Sequence, residues 1–304
     1  MSSKHILITG GTGFLGQALI RHWLAAGHQI SVLTRDPVAC TQLLGDKVTA
    51  ISNLNLLPAS NHLDAIVNLA GSPIFSGRWT AQRKQQIRDS RIGLTGQLFE
   101  FLQQRSQKPA VLISGSAIGI YGDQADQPLT ESTPITSGDF AQQLCDDWEH
   151  SALRCRELGI RVCLIRTGLV LDHDGGLLQR MLPGFKLGLG GRLGSGKQWM
   201  SWIHRHDWVA IADRLLNDHS LEGAFNATAP QPVDNQTFSQ KLASHLHRPC
   251  WLNLPAPLLK SLLGEMAALV LGSQRVLPAR MLDAGFQFRY SDLDTALQQI
   301  LHRD

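Results

Sequence analysis

The stretch Lys4-His-Ile-Leu-Ile-Thr9-Gly10-Gly11-Thr12-Gly13-Phe14-Leu15-Gly16-Gln-Ala-Leu19 decides the fold. Its apolar β-type run turns sharply at Gly10 and opens into a helical pattern carrying Leu15, Leu19, Ile20 and Trp23. Gly10 permits the tight turn, Gly13 lets a phosphate approach the backbone, and Gly16 lets helix and strand pack closely. The start of such a helix offers free N–H groups and the positive end of its dipole to a pyrophosphate. With strand before and helix after, the glycine spacing predicts a dinucleotide site built from Gly10, Thr12, Gly13, Phe14, Leu15 and Gly16.

The second strand, Gln29 to Thr34, ends at Arg35-Asp36-Pro37. An acidic residue at this point grips the ribose 2′-hydroxyl of NAD, whereas an arginine suits the 2′-phosphate of NADP. Arg35 comes first, so the expected cofactor is NADP(H). The alternative is a solvated Arg35 paired with Asp36.

Further apolar runs at 65–71, 110–114 and 161–166 alternate with helical stretches at 80–104 and about 139–158. This βαβ alternation predicts an α/β fold, a Rossmann-type doubly wound parallel sheet with helices on both faces. Beyond about residue 170 the alternation stops, glycines crowd residues 175–196, and prolines punctuate the rest. The expected division is an NADP-binding domain over 1–170, to which some later segments return, and a smaller α/β substrate cap over 171–304. Ligands bind outside the carboxyl ends of such strands. The strand ends Thr9-Gly10, Thr34-Arg35, Leu69-Ala70-Gly71, Ser114-Gly115-Ser116 and Arg166-Thr167-Gly168 should therefore line one cleft, with Leu69, Ala70, Gly71 and Ser114 on the adenosine and ribose side.

A chain of 304 residues has ample core, and its net charge of +3 is small and scattered. No basic stripe with interleaved aromatics argues for nucleic acid. The first apolar run is a strand rather than a secretory segment, and Leu258–Leu271 is broken by Lys260 and Glu265, so no membrane span is expected. Five widely spaced cysteines form neither a disulfide framework nor a metal motif. The expectation is a cytoplasmic monomer or homodimer with a small-molecule substrate and no metal.

Together these residues resemble the extended short-chain dehydrogenase/reductase superfamily, the epimerase and dehydratase group. Thr9–Gly16 is similar to its T-G-x-x-G-x-x-G signature, Asn68-Leu-Ala-Gly71 to its N-x-A-G strand end, and Ser114–Gly122 to its serine-rich S-S-x-x-x-Y-G segment. Trp202-Ile-His-Arg-His-Asp207 resembles its F-I-H-x-x-D motif. A closer likeness is to the bacterial and organellar "epimerase family" proteins with their own C-terminal segment, of the DUF1731 type. It rests on Phe140–Glu149, Ala229–Val233, His247-Arg-Pro249, Leu277–Arg280 and Ala284-Gly-Phe286. The resemblance implies an NADP-binding fold and no particular substrate.

One departure stands out. The superfamily's proton work is done by a Y-x-x-x-K pair, in which the lysine lowers the phenol's pKa. This chain has only two tyrosines, Tyr121 and Tyr290, neither followed by a lysine four residues later. Counted from Ser116, the expected positions hold Phe140 and Leu144, and Phe140, Leu144, Trp148 and Ala152 form an apolar i, i+4 stripe. The remaining candidates for chemistry are Ser116 as a hydrogen-bond partner for a substrate carbonyl, Cys145 as a thiol acid, and His204, which can form a polar pair with Asp207. Tyr121 reads as a packed turn residue, and Glu131 and Asp123 as braces of the serine loop. Gly191–Gln198 nearly spells a phosphate-binding loop but has Gln198 where a hydroxyl is needed, so its expected place is over the substrate side. His204 and His206 on one strand would share a face, but no third metal ligand is evident. Two functions fit: an oxidoreductase or epimerase-like enzyme with non-standard acid/base residues, or a non-catalytic NADP(H)-binding sensor.

Overall fold

The computed structural model describes residues 3–58, 61–136 and 138–302. Strands β1 (His5–Thr9), β2 (Gln29–Leu33), β3 (Val48–Ile51), β4 (Ala65–Asn68) and β5 (Val111–Ala117) alternate with α1 (Phe14–Ala25), α2 (Pro37–Leu44), α3 (Ala81–Arg88) and α4 (Leu94–Gln104). The short β6 (Pro128–Leu129) leads to α5 (Phe140–Leu153), β7 (Arg161–Thr167), β8 (Leu169–Asp172) and α6 (Gly176–Lys186). Then come β9 (Trp199–Met200), β10 (Trp202–His204), α7 (Arg205–Asn217), β11 (Gly223–Ala227), β12 (Val233–Asp234) and α8 (Asn235–His245). The last segment holds α9 (Ala256–Leu263), α10 (Ala268–Leu271), β13 (Arg275–Val276), α11 (Ala279–Asp283) and α12 (Leu293–Leu301).

Seven parallel strands make one sheet in the order β3-β2-β1-β4-β5-β7-β11. The order reverses between β1 and β4, so the crevice for a ligand opens beside the glycine turn. Alternation along each strand supplies both faces. Ile6, Ile8, Val67 and Ile113 join the core beneath α1 and α7, while Leu7, Ile66, Leu112 and Val162 join the core beneath α4. Strands buried on both sides must read as continuous apolar runs, and these do.

The expected strand at 65–71 ends its ladder at Asn68, which frees Leu69–Gly71 to line the crevice. The helical stretch at 80–104 is real but is broken by a π turn over Asp89–Gly93. The helix expected over 139–158 is α5 followed by a 3-10 turn, Arg154–Leu158. Past residue 170, β11 rejoins the sheet beside β7, and β13 returns to pair with β6. His204 closes β10, but His206 lies in α7, so the two histidines do not share a strand face.

A buried polar network ties α5 to the strands. The Arg166 guanidinium grips Glu149 with two 2.8 Å bonds, Nε to Oε1 and Nη2 to Oε2, and the side chains are 7% and 6% exposed. Ser116 Oγ donates to Glu149 Oε1 at 2.6 Å. Arg166 Nη1 donates to the Tyr121 hydroxyl at 2.9 Å, which donates onward to Asn226 Oδ1 at 2.7 Å. Burial opposes the charge on Arg166, but the hydrogen bonds and charge of Glu149 outweigh it and hold the guanidinium above its ordinary value. Removing one partner of such a pair leaves an uncompensated buried charge. Glu149→Ala should therefore lower unfolding free energy by about 3 kcal/mol in urea titrations. A loss below about 1 kcal/mol, the range of exposed pairs, would show that water reaches Arg166.

Candidate functional site

The β1–α1 junction is built on glycine contacts. Gly10 has φ +70°, and a Cβ there would lie 2.6 Å from the Leu69 carbonyl carbon, so the turn sits directly on the end of β4. A Cβ on Gly16 would lie 2.3 Å from the Gly10 oxygen and 2.7 Å from Gly11 Cα. Helix α1 can thus begin hard against its strand. Gly13 occupies the N-cap position and supplies no side-chain acceptor, so the first-turn N–H groups of α1 face outward uncapped. Thr12 and Gly13 are exposed. Phe14 turns its ring away toward α7, beneath the Arg205 guanidinium at 4.7 Å and against Gly175, where a Cβ would lie 2.2 Å from the ring. Leu15 is half-buried beside it.

Arg35 lies just beyond β2, exposed and without an ion pair among the described residues. Asp36 does not pair with it. Its carboxylate caps α2 by accepting the Ala39 N–H at 3.0 Å. On the other side of β1, a polar seam joins the strand ends. Thr9 Oγ1 donates to Asn68 Oδ1 at 2.7 Å and accepts the Ala70 N–H at 3.1 Å, while Asn68 Nδ2 donates to Thr95 Oγ1 at 2.8 Å. Ser114 Oγ sits 3.5 Å from the same amide. The seam holds Leu69, Ala70, Gly71 and Ser114 at the crevice floor beside the glycine turn, so the proposed cofactor residues converge.

The candidates for chemistry do not converge in this way. Ser116 is at the end of β5, but its hydroxyl proton is engaged by Glu149, leaving its lone pairs for any other partner. Cys145 packs among Ile118, Ile120 and Tyr121. Burial, then the charge of Glu149, pushes its thiol up to about 12, which removes it as an acid near neutrality. His204 is a joint rather than a reactive group. Its Nδ1 accepts the His206 N–H at 3.0 Å, its Nε2 therefore donates to Gln299 at 2.9 Å, and its ring stacks 3.9 Å from Tyr290. Burial lowers its pKa and keeps it neutral. Asp207 accepts the backbone N–H groups of Arg289 and Tyr290 at 3.0 and 2.9 Å, so both residues clamp the C-terminal segment to α7.

Phe140 and Leu144 face an apolar cluster. Leu144 packs with Trp79, Ile87, Ala141 and Met266, and Phe140 meets Trp79 edge-to-face at 5.0 Å. Leu263 and Leu269 close the cluster from α9 and α10, and Lys84 pairs with Glu265 at 2.6 Å on its rim. The Gly191–Gln198 loop is fastened rather than free. The Leu193 N–H donates to Asn235 at 2.8 Å, and Gly191 lies so close to Leu252 that no Cβ fits. Glu131 accepts the N–H groups of Asn226 and Arg280, and Asp123 those of Ala125 and Ser273, as braces.

Two polar residues at the site, Glu149 and Arg91, were not singled out in the sequence, and Arg166 was read only as a strand end lining the cleft. Glu149 interrupts a buried apolar face one turn after Cys145, Arg166 ends an apolar strand, and the half-buried Arg91 follows Ile87 by one turn. A charge on a buried stripe needs a partner, and that was the available signal.

Residues 6–227 match the model of the NAD dependent epimerase/dehydratase family, and residues 254–300 match a domain of unknown function, DUF1731. The chain is 38% identical over 299 residues to the epimerase family protein YfhF of Bacillus subtilis, covering 98% of each. It is 39% identical over 306 residues to the chloroplastic SDR39U1 homolog of Arabidopsis thaliana, covering 99% of this chain and 87% of that one. Among solved structures, human epimerase family protein SDR39U1, crystallised with NADPH, superposes with a TM-score of 0.89 at 30% identity, over 99% of this chain and 100% of that one. On the sequence match and the shared sheet alike, the chain belongs to the NAD dependent epimerase/dehydratase family.

Proposed function

We propose that the protein binds NADP(H) across the carboxyl ends of β1, β2, β4 and β5 and performs hydride transfer on a small polar or sugar-like substrate, without a Tyr-x-x-x-Lys pair. The observation that carries this reading is the β1–α1 junction, where an uncapped helix start at the exposed Gly13 stands beside the converging strand ends and offers its N–H groups to a phosphate. The preference for NADP rests on Arg35, exposed and without an ion pair among the described residues while Asp36 is engaged as a cap. The NADPH in the crystal of the human relative supports the same choice.

A nicotinamide bound there supplies the hydride donor or acceptor. Proton transfer falls to Ser116 backed by Glu149. In alcohol oxidation the Ser116 oxygen accepts the substrate's hydroxyl proton while its own hydrogen passes to Glu149 Oε1, 2.6 Å away. Arg166 already occupies both Glu149 oxygens, so proton uptake there must disturb that pair. The apolar filling around Phe140 and Leu144 favours the second reading, a NADP(H)-binding sensor without turnover.

Calorimetry with NADPH, NADP⁺, NADH and NAD⁺ tests the cofactor. Arg35→Ala should weaken NADPH binding about tenfold, the worth of one charge-assisted hydrogen bond, and leave NADH unchanged. Equal losses for both would remove Arg35 from the 2′-phosphate. Gly13→Ala, whose new Cβ meets only the Gly10 oxygen at 3.2 Å, should melt like wild type yet bind all four dinucleotides at least about tenfold more weakly. Unchanged binding would take the phosphates away from this turn. Wild type should also oxidise or reduce some member of a panel of small alcohols and carbonyls, and Ser116→Ala should abolish that activity without altering NADPH affinity. No exchange with any member would leave the sensor.

A further inference from the structure

Beside the expected cofactor crevice lies a second polar feature that the proposed function leaves unused. Arg91 occupies the π turn between α3 and α4. Its Nη1 donates to the Ser72 carbonyl at 3.1 Å, with longer contacts of 3.4 Å to the Ile87 carbonyl and the Ser90 hydroxyl. Among the described residues it has no carboxylate within ion-pair range and no acceptor for Nε or Nη2. The guanidinium lies over Gly71, where a Cβ would stand 2.7 Å from Cζ. The guanidinium also lies over the Trp148 indole, 5.4 Å from Cζ to the ring centroid. Trp148 is 7% exposed, and its N–H is buried with no acceptor among the described residues. The ring's edge reaches Gly115, where a Cβ would lie 2.9 Å from it.

At the ends of β4 and β5, Arg91 Nε and Nη2 and the Trp148 N–H thus have no acceptor among the described residues, while Arg91 Nη1 is held by Ser72. Glycines at both strand ends make room for them. A buried indole N–H left unmatched is costly unless an acceptor arrives, and a guanidinium edge near a single N–H suits a carboxylate or phosphate oxygen pair. Their location selects the source. Trp148 lies one turn past Leu144 on α5, on the face where the superfamily keeps its proton pair, whereas the pyrophosphate belongs at the glycine turn of β1.

We propose that Arg91 and Trp148 form an oxyanion subsite where β4 and β5 end and that the substrate is an acidic molecule whose carboxylate or phosphate they hold. This rests on the cofactor-dependent reading above and narrows its substrate class.

The test is calorimetry of the apo and the NADP⁺-loaded protein with malonate, inorganic phosphate and uncharged glycerol. Wild type should bind malonate or phosphate saturably and ignore glycerol. Arg91→Gln should weaken the anion at least tenfold while NADPH affinity changes less than twofold. Arg91→Lys, which keeps the charge and loses the fork, should fall between, and Trp148→Phe should weaken the anion severalfold at unchanged melting temperature. Equal anion binding by wild type and all three variants, or none by wild type, overturns the proposal. So does a loss of NADPH affinity in Arg91→Gln as large as its loss of anion, which would make the oxyanion the cofactor's own. If wild type binds no dinucleotide, the cofactor reading falls, and the apo titration still decides whether Arg91 holds an anion.

Discussion

The contact between Gly16 and the Gly10 carbonyl governs the molecule. A single methyl group at residue 16 would collide at 2.3 Å, and relief would require α1 to slide away from β1. That slide would break two arrangements at once. The Gly10 turn would leave the end of β4, on which it rests, and Trp23, Leu19 and Ile20 would leave the core they share with Val32, Val67 and α7. One steric condition therefore sets both the packing of the sheet and the shape of its open edge. The site is where it is because the core is packed as it is.

Away from that edge the α5 face that opens with Phe140 and Leu144 is apolar, covered by Met266 and Leu263 from the C-terminal segment. Charge lies nearby in Glu149 with Arg166 and in Arg91. An apolar lining raises the strength of any remaining electrostatic contact, since little water is present to screen it. A site of this kind can orient an anionic ligand firmly while offering few groups that exchange protons.

The parallel sheet was legible in the sequence because strands covered on both faces cannot hide their apolar runs, and the glycine spacing at 10, 13 and 16 fixed where the crevice opens. Arg35 could be placed because a strand end and a cap are local features, although the engagement of Asp36 with Ala39 needed coordinates to appear. The catalytic candidates were harder. Cys145 and His204 were chosen for residue type, but reactivity depends on what surrounds a group, and burial among Ile118, Ile120 and Tyr121 or stacking on Tyr290 joins residues far apart in the chain. The π turn at Asp89–Gly93 was invisible for a similar reason, since a single glycine is tolerated inside a helical run and only the tertiary position of Arg91 reveals the turn's effect. Glu149 and Arg166 lie 17 residues apart in sequence, and nothing local in either announces the other.

The return of β13 to β6 has a consequence for how the chain acquires its shape. Arg275 and Val276 pair with Pro128 and Leu129, and the Leu277 carbonyl receives the Asn226 amide that also serves Tyr121. A ribosome delivers residues 128 and 226 well before residue 277. Until the last quarter emerges, Trp79, Leu144 and Phe140 lack their cover from Met266 and Leu263. The nascent sheet can assemble from its neighbouring βαβ units, but closure of such distant partners is a late, slow event with a sticky surface exposed in the meantime. Newly made copies thus carry an uncovered apolar surface until the last quarter of the chain is in place.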